Sequence, residues 1–182
     1  MTTALTLEQF NQASEAAFCA ALAEIWEHAP WVAQQVVGQR PFASIDALHR
    51  AMVDVVAALD EQRRVAFYAS HPELAGADAR SGRMTDASTE EQGTLALERL
   101  DASEALRWDA LNQAYRARFG FPFILCIRRH SRASALAAFE QRLGHDRRTE
   151  LAQALAEIAA ITRLRLDRLV QPTPGTSIPL VS

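Results

Sequence analysis

Helix start and stop signals recur along almost the whole chain, and only one run reads as a strand. No other feature constrains the fold as much. Thr6-Leu7-Glu8-Gln9 has the capping-box pattern that opens a short first helix. Ser14 can cap a second helix running to about Trp26. Pro30 suits the first turn of a third, which Gly38 would stop. Ser44 can cap a fourth, in which Ile45, Leu48, Met52, Val55, Val56 and Leu59 recur at helical spacing. A fifth runs from about Glu61 to Ala69. Pro72 sets its end, because the residue before a proline is pushed out of the α region.

From Gly76 to Thr85 the pattern breaks into a loop. Ser88-Thr89-Glu90-Glu91 is another capping box, opening a helix to about Leu100. Ser103 opens a long helix that ends before Gly120, Ser131 caps one that Gly144 stops, and the last runs from about Arg147 to Val170. Phe121-Pro122-Phe123-Ile124-Leu125-Cys126-Ile127 is the strand-like run. It is short, single and aromatic, so a buried extended segment is expected rather than a sheet. The predicted class is all-α, a single-domain bundle of about eight helices with one extended segment near 121–127. The domain is expected to span residues 1–170, with a mobile tail over 171–182.

The 182 residues suit one domain. All 19 basic residues other than histidine are arginines, and there is no lysine. That excludes a lysine Schiff base, a P-loop or kinase-type lysine, and a Ser–Lys dyad. A basic group in the active site must be Arg or His. The net charge of -3 favours neither nucleic acid nor an anionic membrane as partner. Cys19 and Cys126 lie far apart, which argues against a disulfide framework or structural zinc and fits a cytoplasmic setting. No apolar run approaches the roughly 20 residues that span a bilayer. Neither a signal peptide at the start nor a peroxisomal tail at the end is visible. His28, His49, His130 and His145 lie at no ligand spacing, so no metal site is expected.

Several residues could carry chemistry. His71, in Ser70-His71-Pro72-Glu73-Leu74-Ala75-Gly76, sits just past a predicted helix end. Histidine titrates near neutrality, and the adjoining proline stiffens the backbone. The ordinary alternative is a surface histidine at a helix C-terminus, where the cation is favoured. Glu91 can complete its capping box, or Ser88, Glu91 and Gln92 can face a pocket at that helix N-terminus; on sequence grounds the cap is preferred. Arg165 falls in an apolar seam walked as Leu151, Leu155, Ile158, Thr162, Arg165 and Leu169. A charge there needs a partner, either a ligand carboxylate or ureido group or a carboxylate of the protein itself. The backbone of an extended segment outside a sheet also needs partners, some of which a polar heterocycle could supply. Cys126, in an apolar run, reads as an inert buried thiol.

Together these motifs resemble the 2-oxo-4-hydroxy-4-carboxy-5-ureidoimidazoline (OHCU) decarboxylase family. The resemblance rests on His71-Pro72-Glu73-Leu74-Ala75-Gly76, Ser88-x-x-Glu91-Gln92, Phe119-Gly120-Phe121-Pro122-Phe123-Ile124 and Leu164-Arg165-Leu166 in order. Trp26-Glu27-His28-Ala29-Pro30-Trp31 and Arg40-Pro41-Phe42 extend it toward the start, so that it covers residues 7–170. Thr94-Leu95-Ala96-Leu97 departs mildly from the family pattern. The resemblance implies an all-α homodimer, without metal or organic cofactor, that forms (S)-allantoin in urate degradation. It implies a catalytic role for His71, which Glu91 is expected to assist by orienting substrate or tuning the imidazole. It implies substrate contacts from Pro72, Ser88, Glu91, Gln92 and Arg165, and from the backbone of Phe123, Ile124, Leu125, Cys126 and Ile127. The competing readings are an inactive helical binding or dimerisation module of the same fold, and a lyase acting on a related ureido compound.

Overall fold

In the computed structural model, side chains just ahead of the helices satisfy backbone N–H groups that have no partner inside a first turn. The structure describes residues 5–76, 90 and 100–171. Eight α-helices lie among them: α1 Leu7–Gln12, α2 Glu15–Leu22, α3 Trp31–Val36, α4 Ile45–Ala57, α5 Glu61–Ala69, α6 Ala102–Phe119, α7 Arg132–Leu143 and α8 Arg147–Leu169. The class is all-α, as the sequence predicts.

Thr6 and Gln9 form the expected reciprocal capping box on α1. Ser14, Ser44 and Ser131 cap α2, α4 and α7 as expected. The long helix α6 is capped by Asp101 rather than by Ser103. Asp101 accepts from the backbone of Ser103 and Glu104, and Glu104 reaches back to the Asp101 N–H, so the carboxylate two residues earlier takes the cap. Asp146 does the same for α8 through the Thr149 N–H at 3.0 Å. The Thr149 hydroxyl and backbone hold the Asp146 carboxyl below the usual carboxylate range.

Helix α2 ends at Leu22, earlier than the predicted Trp26. Beyond it the bonds change to three-residue turns (Ile25 N–H to Leu22, Ala29 N–H to Trp26), and His28 has φ of 50°, which ends any right-handed helix. The run 121–126 forms no strand and is buried throughout, as predicted. The strands lie elsewhere. β1 (Leu5–Thr6) and β2 (Val170–Gln171) pair in parallel, Leu5 with Val170 and Thr6 with Gln171. A two-residue strand is too short for any periodicity to announce it. The expected helix from Ser88 to about Leu100 lies outside the described residues apart from Glu90, which is helical, and residue 100. The tail from residue 172 lies outside them too.

The chain packs as two compact units. One takes the residues up to Ala58 and those from Thr162 onward; the other is Leu59–Ile161. The first contains α1 to α4, the strand pair, and a core around Phe10, Phe18, Leu22, Leu48 and Met52. The second contains α5 to α7 and most of α8. Its core is aromatic: Tyr115 meets Phe119, Phe121, Phe123 and Phe139, with ring centroids 4.7–5.8 Å apart. These contacts place the extended segment across the inward row of α6, where Trp108, Asn112, Tyr115 and Phe119 recur at steps of four and three.

Gly120 ends α6 in the left-handed region at φ 82°. A Cβ there would meet only Val65 Cγ1, at 3.6 Å, so the position has room and is limited by its backbone alone. Gly120→Ala is therefore expected to cost about 1–2 kcal/mol in urea unfolding. Gly38→Ala, where nothing lies within 4 Å and φ is not positive, should be neutral or slightly stabilising.

Candidate active site

His71 stands where α5 runs out. The helix closes with Ser70 N–H to Phe67 and His71 N–H to Tyr68, both 3.1 Å. The half-buried imidazole then folds back on its own helix. It meets the Phe67 ring edge-on, with centroids 5.0 Å apart, and its Nδ1 lies 3.3 Å from the Phe67 carbonyl oxygen. A carbonyl can only accept, so Nδ1 carries the proton in this contact. In the neutral ring Nε2 then keeps the lone pair, the arrangement an acid–base histidine needs at its working nitrogen. The ring does sit at a helix C-terminus, as the ordinary alternative supposes, and that contact is what selects the tautomer.

Pro72 and Glu73 are half-buried, while Leu74, Ala75 and Gly76 are buried. The buried Asn112 amide donates to the Leu74 carbonyl at 2.9 Å. A ladder of ring contacts leads from His71 to the extended segment. Phe67 touches Tyr68, Tyr68 meets Phe121 at 5.2 Å, and Tyr115 bridges Phe121 and Phe123.

Phe123, Ile124, Leu125, Cys126 and Ile127 are all buried. Two of their backbone groups are held by side chains, and the carbonyls of Cys126 and Ile127 accept from the N–H groups of Arg129 and His130. The Ile124 carbonyl accepts from Arg142 Nη1 at 2.8 Å, and the Cys126 N–H donates to Glu157 Oε2 at 2.8 Å. Gln153 steadies Glu157 from one turn away on α8. Arg142 also lies 4.5 Å from the Phe123 ring centroid, a cation–π contact. Both cysteines are free thiols, and Cys126 is buried, as expected. Past Ile127, Arg128 pairs with Glu90 at 2.9 Å, which ties the end of the segment to the chain just ahead of Glu91.

Behind the segment lies a buried charge cluster. Glu150 is fully buried. It accepts from the Tyr115 hydroxyl, from Nε and Nη2 of Arg142, and from Nδ1 of His145 at 2.8 Å. Arg142 thus spends two donors on Glu150 and a third on Ile124. Burial, reinforced by the bond to Glu150, pushes the Tyr115 phenol far above its ordinary range. Burial does the same to Tyr68, whose hydroxyl donates to the Leu151 carbonyl at 3.1 Å.

Arg165 belongs to the other unit. Its side chain is 9% exposed and pairs with the buried Glu27 at 3.1 Å, so a protein carboxylate answers the seam charge here. Nη1 also points toward the carbonyls of Glu24 and Ile25 at 3.5 Å. The buried row of α8 runs through Leu151, Ala154, Ile158, Thr162 and Leu166. It therefore passes beside Arg165 and leaves Leu155 and Leu169 half-buried. Ser88, Glu91 and Gln92 lie outside the described residues. Among the described residues, no group of three or more His, Cys, Asp or Glu side chains could hold a metal ion. No helix among them is long and apolar enough to cross a membrane.

The fold and site define an all-α protein with a histidine at a helix end and a buried irregular segment. The crystal structure of (S)-allantoin synthase shares the fold, with a TM-score of 0.73 and 26% identity, covering 91% of this chain and 54% of that longer one. The family model for OHCU decarboxylase matches residues 11–167. The OHCU decarboxylase of Halalkalicoccus jeotgali is 37% identical over 96% of this chain and 97% of its own length. That of Haloferax volcanii is 38% identical over 89% and 94%. The chain belongs to the OHCU decarboxylase family.

Sequence reasoning missed Asn112, Arg142, Glu150 and Glu157. The argument that singled out Arg165, a polar residue in an inward row, would also have found Asn112, between Trp108 and Tyr115. Arg142 and Glu150 face each other across Gly144 and give no periodic signal. Replacing Arg142 with methionine strands the Glu150 charge and the Ile124 carbonyl. Arg142→Met is expected to cost about 3–5 kcal/mol in urea unfolding. The two tyrosines predict an alkaline limit. The folded chain holds phenolic protons that the unfolded chain releases above about pH 10. Stability should be intact below that pH and fall as pH rises beyond it, with tyrosinate absorbance appearing together with loss of helical circular dichroism.

Proposed function

We propose that this chain decarboxylates OHCU to (S)-allantoin, with His71 as its acid–base group. Family membership across residues 11–167 supports the reaction. The observation that carries the role of His71 is its Nδ1 contact with the Phe67 carbonyl, which leaves Nε2 as the nitrogen that exchanges a proton.

The chemistry needs no amine. The bond from the ring carbon to its carboxylate breaks, and CO₂ leaves. The electron pair passes toward the neighbouring imine, so the substrate is its own electron sink. An enol remains, with a double bond between the ring carbon that lost CO₂ and the carbon bearing the ureido group. His71 assists the cleavage and delivers a proton to one face of that second carbon; the enol hydroxyl becomes the new carbonyl as its proton passes to the former imine nitrogen, so one proton is taken up for each CO₂ released. One-sided delivery yields (S)-allantoin, whereas protonation from bulk water yields a racemate. Glu91 orients the substrate or tunes His71. Pro72, Ser88 and Gln92 line the same site, and Arg165 anchors an electronegative part of the substrate. The backbone from Phe123 to Ile127 holds ureido or ring groups, and its rigid seating on Arg142 and Glu157 supports that role. Residues 1–170 act as one catalytic domain within a cytoplasmic homodimer, a state that sedimentation would check.

Purified protein mixed with freshly generated OHCU should give a growing allantoin circular dichroism signal at a rate above the uncatalysed one. His71→Ala should lower kcat by about 10²–10⁴ and return racemic product. A racemate at the uncatalysed rate from the wild-type protein rejects the reaction. A His71→Ala protein of full activity rejects the role of His71 and spares the reaction.

A further inference from the structure

The five residues after the candidate histidine form a loop with little conformational choice. Ala75 takes φ of 55°, a left-handed value uncommon for a residue other than glycine. The Gly76 N–H donates to the Glu73 carbonyl at 3.2 Å. A Cβ on Gly76 would lie 2.5 Å from the Glu73 Cβ, so nothing larger fits. A backbone held this far from its relaxed form needs an outside grip.

Helix α6 supplies that grip from two side chains one turn apart. Asn112 Nδ2 donates to the Leu74 carbonyl at 2.9 Å, and Arg116 Nε donates to Glu73 Oε1 at 2.8 Å. The two bonds differ in kind. The Arg116 pair is substantially exposed. Asn112 is only 4% exposed, in a row otherwise made of Trp108, Tyr115 and Phe119. Its Oδ1 is buried with no hydrogen-bond partner among the described residues. A leucine there would fill similar space without an orphaned oxygen. The chain thus buries an amide in an aromatic row and spends its donor on one carbonyl of this loop.

We propose that Asn112 is a positioning residue for His71. It fixes the Leu74 carbonyl, and through it the loop that sets the direction of the imidazole, with Arg116 as the outer half of the same clamp. The inference rests on the reading of His71 as the acid–base group. The Phe67 carbonyl selects which nitrogen is protonated; Asn112 sets where the ring stands. Losing this grip should therefore affect proton delivery more than substrate binding.

The test compares Asn112→Leu with wild type in kcat, KM, the pH profile of kcat and the enantiomeric excess of allantoin. Asn112→Leu is expected to fold but to unfold at a lower urea concentration than wild type, because the buried Leu74 carbonyl loses its donor. Its kcat should fall by about ten- to a hundredfold with KM within about twofold, as a displaced catalytic group predicts. The histidine limb of its pH profile should shift, and its enantiomeric excess should drop as water competes for protonation. Arg116→Gln, which removes only the exposed bond, should move kcat and enantiomeric excess the same way by a smaller factor. An Asn112→Leu protein with wild-type kcat, pH profile and enantiomeric excess overturns the inference. If Asn112→Leu does not fold, wild-type values for Arg116→Gln overturn it. His71→Ala is run alongside: full activity there brings down the reading of His71, whereas an inactive His71→Ala beside an unaffected Asn112→Leu brings down only the clamp.

Discussion

A single carboxylate, that of Glu150, ties together the three helices behind the extended segment. Taking it out of water is costly, and the Coulomb attraction of one cation does not by itself offset that cost. The structure answers with donors on every side: Arg142 from α7, Tyr115 from α6, and His145 from the turn before α8. The arginine fork explains why the cluster is charged. Two of its nitrogens saturate one face of Glu150, and the third stays free to reach a backbone carbonyl. An apolar core of the same volume would pack as well, but it would leave Ile124 without this donor. An irregular segment can be buried away from any sheet only if side chains take over part of the bonding a sheet would provide. Arg142 and Glu157 do so from opposite chemical sides, one donating to a carbonyl and the other accepting from an N–H.

Helix α6 links this cluster to the histidine loop. Its inward row alternates aromatic and polar jobs at the spacing that keeps one face of a helix aligned. Trp108 and Phe119 fill space, Tyr115 packs its ring against the segment while its hydroxyl joins Glu150, and Asn112 holds Leu74. Two loops distant in sequence, after α5 and after α6, are thus referred to one rigid element. Rigid elements place side chains more precisely than loops do, and acid–base chemistry depends on that placement.

The fold was legible wherever a side chain could announce a backbone need. Thr6, Ser14, Ser44 and Ser131 are short hydrogen-bonding residues ahead of apolar periodic runs, and each caps the helix it was expected to cap. The expectation failed where two such residues competed, as with Asp101 and Ser103, because position relative to the first turn decides the cap and spacing alone does not fix it. It failed again after Leu22, where no proline or glycine marks the change to tight turns and the left-handed His28 carries no glycine signal. The site was legible in part. His71 and the segment 123–127 stand out because of their unusual neighbours, and Arg165 because its charge interrupts an apolar row. That Arg165 would meet Glu27 could not be read, since pairing across more than a hundred residues leaves no local trace. Arg142 and Glu150 were hidden for a related reason. Each looks like a surface charge on its own helix, and only their mutual contact makes them internal.

The absence of lysine acquires a specific meaning once the reaction is considered. Decarboxylation usually needs an external electron sink, and an amine that forms an imine with the substrate is one means of building it. OHCU brings its own imine, so the protein has less chemistry to supply and more geometry to enforce. Besides its rate, what would separate the catalysed from the spontaneous reaction is the face of the ring that receives the proton. In the role proposed for His71, an imidazole tethered by Nδ1–H to the carbonyl of its own helix would exchange the proton at Nε2, and a fixed ring would serve one face. Stereochemistry is on this view a direct readout of how firmly the loop after α5 is held. That requirement is what the proposed clamp of Asn112 on the Leu74 carbonyl would serve, in a row otherwise aromatic.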